Sequence, residues 1–107
     1  MKVIFHVVEA DKWELTLSNV RDVLREMPVT KIEIIAMSKA ASIFKRYSGI
    51  DFEDLIDNPN VTITIGKQAL DLHNIKVEEL PNHIKTVDLV ITRIVKLQNE
   101  GYGYIRI

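Results

Sequence analysis

Five short runs of β-branched and aliphatic residues recur along this chain, and segments with helical spacing separate them. That alternation constrains the fold more than any other feature. The runs cover residues 2–8, 31–37, 61–65, 84–87 and 102–107. The first, Lys2-Val-Ile-Phe-His-Val-Val8, reads as a central strand buried on both faces. Between the first two runs, Trp13, Leu17, Val20, Leu24 and Met27 are spaced four, three, four and three. This is one apolar helix face, and Pro28 closes it. Strands that alternate with helices predict an α/β domain with a mostly parallel sheet and helices on both faces. Right-handed crossovers then place every strand-to-helix turn at the carboxyl edge of the sheet, where such sheets bind ligands.

The punctuation between elements is partly explicit. Asp11 and Glu14 form a capping-box-like pair before the first helix. Ser38 is expected to cap a second helix that turns Ala40, Ala41, Ile43, Phe44 and Tyr47 inward and breaks at Gly49. Asp51 is expected to cap a short helix holding Phe52, Leu55 and Ile56, followed by the turn Asn58-Pro59-Asn60. Gly66 opens the turn after the third strand, and a short helix is expected over 68–73 with Asn74 as a left-handed C-cap. Residues 77–80 suggest one helical turn before Pro81. The last helix runs to about Glu100 with Val90, Ile91, Ile94, Val95 and Leu97 as its apolar positions, and Gly101 fits the C′ site.

The chain has 107 residues, which is the length of one domain, and no internal repeat or linker divides it. It is 47% hydrophobic and 27% charged, with net charge −1 and mixed signs throughout. No basic stripe marks a nucleic-acid surface, so no nucleic-acid partner is expected. No apolar run is long enough to span a membrane. The start of the chain reads as a strand rather than a leader, and together with the lack of cysteine this predicts a cytoplasmic protein. The missing cysteines exclude thiolate metal sites and thiol catalysis on this chain. His6, His73 and His83 lack metal-ligand spacing, so neither a metal nor another cofactor is expected. His6 is expected to be a neutral, hydrogen-bonded core residue, and the other two to be solvated.

Three patterns occur together: Phe5-His-Val-Val-Glu9 with Asp11-Lys-Trp13 and Asn19-Val20; Val61-Thr-Ile-Thr-Ile-Gly-Lys-Gln-Ala-Leu70; and Ile94-Val-Lys-Leu-Gln-Asn-Glu-Gly-Tyr-Gly-Tyr-Ile105. On these the chain resembles small stand-alone proteins of the DsrE/DsrF-like family over essentially its whole length. The resemblance implies a three-layer α/β/α fold of DsrE or flavodoxin-like type with a five-stranded sheet. It also implies a homo-oligomer, trimer or hexamer. In some relatives a cysteine at the end of the third strand passes on sulfur as a persulfide. Here Gly66 stands at that position, with Gln68 where an amide residue is common. A glycine near the start of the last helix is replaced by Val90.

The candidate crevice residues are Glu9, Ser38, Gly66, Lys67 and Gln68, all on carboxyl-edge turns. A glycine followed by free N–H groups at a helix start, with a lysine beside it, can cradle an anion. The alternative for Gly66 is a tight turn needing positive φ. Asp11 and Ser38 have capping as their alternative role, and Trp13 has core packing. Neither a P-loop nor a Rossmann fingerprint nor a nucleophile elbow is present. The expectation is therefore a non-catalytic, oligomeric binding protein for a small anionic ligand or a protein partner. The alternatives are an accessory in sulfur transfer that uses a partner's cysteine, and a purely structural oligomer. Tyr102 and Tyr104 share one strand face, and at least one of them is expected at a subunit interface.

Overall fold

The computed structural model describes residues 1–45 and 49–107, with Glu53 as backbone only. Five parallel strands form one sheet: β1 (Lys2–Val7), β2 (Lys31–Ala36), β3 (Val61–Gly66), β4 (Ile84–Val87) and β5 (Gly103–Arg106). Their order is β4-β3-β2-β1-β5. The helices are α1 (Trp13–Glu26), α2 (Glu53–Ile56), α3 (Lys67–Leu72) and α4 (Val90–Asn99).

Strand order decides which face each connection covers. From β1 to β4 the chain steps outward one strand at a time, so right-handed crossovers keep α1, α2 and α3 on one face. The return from β4 to β5 runs the other way across the sheet, and it puts α4 on the opposite face. The packing agrees. Phe5, Val7, Ile32, Ile34, Ala36, Ile63 and Ile65 point into the larger core with Trp13, Leu17 and Val20. Ile4 and Ile35 point the other way, against Val90, Ile94 and Leu97. The indole N–H of Trp13 donates to the Ala40 carbonyl at 2.8 Å, and its ring meets Phe44 and Phe52 edge-on. Trp13 is thus a core residue.

The helix starts differ from the sequence expectations. Asp11 does not cap α1: it lies inside a 3-10 turn, Ala10–Lys12, and Lys12 takes the N-cap position without a side-chain bond. The second helix is a 3-10 helix, Ser38–Phe44, with Met37 at its N-cap, so Ser38 does not cap it either. Ala40 N–H bonds back to the Val8 carbonyl at 2.8 Å, and that tie to β1 holds the segment close to the sheet. Phe52 rather than Asp51 is the N-cap of α2. Tyr47 lies outside the described residues. The C-terminal signals hold: Asn74 has φ 55° and Gly101 φ 96°. On α4 only Val90, Ile94 and Leu97 are buried, while Ile91 and Val95 face solvent. Among the described residues α4 is the one helix on its face, and such a helix needs just one inward stripe.

His6 is buried with 4% exposure, and its Nδ1 lies 2.7 Å from the Tyr104 hydroxyl. Burial, and secondarily the Arg106 charge, lower its pKa. The neutral imidazole is therefore the folded form, and Nε2 has no partner among the described residues. The unfolded chain binds this proton more readily, so the contribution of His6 is complete above pH 6.5, the ordinary imidazole value. It is lost as pH falls below that. Urea titrations at two pH values, one on each side, should show lower stability on the acid side, by at most about 1.4 kcal/mol per pH unit. In His6→Gln that dependence should flatten. An unchanged slope in the variant would assign the effect to other groups.

Candidate functional site

The connections leaving β3 and β4 diverge, one to each face of the sheet. A crevice must open between the carboxyl ends of two such strands. It is there: a cavity of about 490 Å³ lined by Met37 and Ser38 after β2, by Gly66, Gln68, Ala69 and Leu72 from β3 and α3, and by residues 88–92 from the β4–α4 turn. That volume suits a small organic group. Three of the sequence candidates, Ser38, Gly66 and Gln68, share this cavity. Lys67 is not part of the lining, but it pairs at 3.2 Å with Asp88, which is. Glu9, on the first turn, is exposed and is not part of the lining.

Gly66 is glycine for a reason other than its backbone. Its φ is −70°, which any residue adopts, so the positive-φ turn expected from the sequence is not what it supplies. A Cβ added there would sit 2.7 Å from Cγ2 of Val90. The side-chain space of residue 66 is filled by residue 90. Ser38 carries the strain instead, with φ 55° in a non-glycine residue. Its carbonyl accepts a 3.0 Å hydrogen bond from His73 Nε2, so His73 is a structural tie between α3 and the 3-10 helix rather than a solvated side chain.

The lining is mainly apolar. Leu72, Leu89 and Ile91 are 65%, 52% and 62% exposed, and they form an apolar border to the mouth. Charges at the mouth are few. Asp88 neutralises Lys67, and it precedes the start of α4, where a carboxylate complements the helix dipole. The β4–α4 turn was legible as one of the carboxyl-edge turns. No residue in it stood out, because Asp88-Leu-Val-Ile-Thr92 matches no ligand motif.

Beneath α4 lies a buried polar cluster. Glu33 in β2 is 3% exposed. Its carboxylate accepts from Arg93 Nε at 2.9 Å, from Arg93 Nη2 at 2.7 Å and from the Thr64 hydroxyl at 3.0 Å. The bond from Glu33 holds the Arg93 guanidinium above its already high pKa. This fork ties the helix that borders the cavity to the centre of the sheet.

Solved structures that share this architecture include the following two. The protein of unknown function MTH1491 from Methanobacterium thermoautotrophicum superposes with a TM-score of 0.84 at 25% identity, over 99% of this chain and 98% of its own. The ychN protein from E. coli superposes with a TM-score of 0.74 at 14% identity, over the full length of both chains. The fold is DsrE-like. No protein-family model matches the sequence, and no curated protein does. Among the described residues no helix is long and apolar enough to cross a membrane, and no cluster of side chains could hold a metal ion.

Proposed function

We propose that this chain is a non-catalytic, homo-oligomeric binding protein of the DsrE/DsrF-like type. Its carboxyl-edge cavity receives an uncharged, mainly apolar group, carried by a small ligand or by a partner protein. The supporting observation is the 490 Å³ cavity between β3 and β4 with its exposed leucine and isoleucine border. In this reading Ser38 and Gln68 supply the few polar contacts that orient the ligand, and Gly66 and Val90 form the floor. Lys67 stays at the rim on Asp88, and Glu9 acts at most on whatever extends past the neighbouring turn. The apolar lining favours an uncharged group over the anion expected from Gly66-Lys67. The alternative, sulfur transfer through a partner's cysteine, rests on the family resemblance alone.

Titration with the neutral dye Nile red should give one saturable, blue-shifted site per chain. Gln68→Trp places an indole in the cavity and should weaken that binding by about tenfold or more, while inorganic phosphate should not compete. Equal binding by the variant, or competition by phosphate, would overturn this reading. Native mass spectrometry before and after denaturation would report any ligand retained through purification.

A further inference from the structure

We propose that His6 is an acid-sensitive latch for β5: when its buried ring takes up a proton, the last strand detaches from the sheet and bares the edge of β1. The latch is separate from the cavity, whose lining does not include His6. Its ring has one nitrogen served and one not. Nδ1 lies 2.7 Å from the Tyr104 hydroxyl, while Nε2 is buried and has no partner among the described residues. The Tyr104 ring packs against the imidazole at 5.7 Å between centres. Protonation makes both ring nitrogens donors. The Tyr104 oxygen can accept from one of them. The other N–H stays unanswered in a buried place, where a charge without a partner is costly.

The elements around the ring bring it no compensating charge. On β1 the next residue of this face is Ile4, and Ile35 of β2 stands in register with His6. Glu33 of β2 is held by Arg93 and Thr64. From α4, Val90, Ile94 and Leu97 pack against this face, while Arg93 and Lys96 lie toward β4 beside Val87. Lys2, Glu100 and Tyr102 gather at the other end of β1. β5 supplies a like charge, because Arg106 is in register with His6. Burial first and Arg106 second lower the pKa of the ring from 6.5. β5 is also the element that gives way at least cost. It is an edge strand, it pairs with β1 alone, and each of its four residues is exposed. β1 lies inside the sheet and commits Phe5 and Val7 to the larger core. Lifting β5 removes Tyr104 and Arg106 together and admits water to both nitrogens. The backbone tie lost with it is the Ile107 N–H, which donates to the His6 carbonyl at 3.1 Å.

Amide hydrogen exchange followed by NMR, from about pH 7.5 to about pH 5 and corrected for the intrinsic rate at each pH, reads this opening directly. The Ile107 amide should exchange faster than the amides of β2 and β3 throughout, as expected of a local opening. Its protection should fall once pH drops below 6.5, by up to about tenfold per pH unit, the limit for one proton, and should level off below the folded pKa of His6. Local openings at β4, the opposite edge of the sheet, leave His6 buried and should not respond. His6→Gln should abolish the response at Ile107. Arg106→Gln removes the like charge, so its response should level off sooner and leave a smaller total loss. That variant decides the matter if His6→Gln does not fold. Ile107 protection that is independent of pH would overturn the proposal. So would exchange of Ile107 only together with β2 and β3, or an unchanged response in either variant.

Discussion

Arg93→Met should cost about 3–5 kcal/mol of folding stability, far more than a half-exposed surface ion pair would. The reason lies in what remains. Glu33 sits in the central part of the sheet under α4, and without the guanidinium only the Thr64 hydroxyl would serve its carboxylate. A buried charge stripped of its partner loses its compensation but not its desolvation cost. Removing the whole cluster is a different experiment. Glu33→Leu, Thr64→Val and Arg93→Met together replace the polar set by apolar groups of similar volume, and that triple variant should match the wild type or exceed it. Urea unfolding with an unchanged m-value is the measurement. A loss below about 1 kcal/mol in Arg93→Met would mean that water reaches Glu33 freely. The comparison also bears on the cavity. If α4 depends on this fork for its position, the triple variant should bind Nile red less tightly although it is stable.

Period and punctuation made the strands and helices legible. Residues 84–87 appear in the structure with the boundaries read from the sequence, and Asn74 and Gly101 mark helix ends because few residue types tolerate positive φ. The starts were less legible. Asp11 and Ser38 have the chemistry of caps, yet each lies within a 3-10 segment whose course is set by tertiary contacts such as Ala40 to Val8. Glu33 gave no local signal. In the run Lys31-Ile-Glu-Ile-Ile-Ala-Met37 it reads as an ordinary polar interruption, and its partner lies 60 residues away. The cavity was half visible. Alternation fixes that turns gather at one edge of the sheet. The strand order decides which two of them part, and alternation alone does not encode it. Ile91 and Val95 fit the apolar stripe of α4 by spacing, but the narrow contact of a lone helix leaves them outside.

Gly66 and Val90 should behave as one unit. Gly66→Ala puts a methyl group 2.7 Å from Val90 Cγ2, a separation that packed atoms do not sustain. Val90 has little freedom to yield, because a β-branched side chain in a helix holds one strongly preferred χ1 rotamer. The strain should cost about 1–3 kcal/mol. Val90→Ala alone should also destabilise, by roughly 1–2 kcal/mol, since it removes two buried carbons from the contact with Ile4 and Ile35. Made together, the two changes exchange volume across the same gap. The double variant should therefore be more stable than the sum of the single losses predicts, with a coupling of about 1–2 kcal/mol. Additivity would show that the β3 end and the start of α4 move apart at little cost. Coupling would instead make the occupancy of this gap a choice between two sites, and that distinction matters for the chemistry available here. With residue 90 filling the space, the end of β3 presents only backbone to the cavity. With residue 90 reduced, a side chain at 66 can stand there. Gly66→Cys in a Val90→Gly background should then fold and place a thiol at the cavity floor, where it is expected to react with a neutral alkylating reagent faster than Gly66→Cys alone, whose stability the valine should undermine.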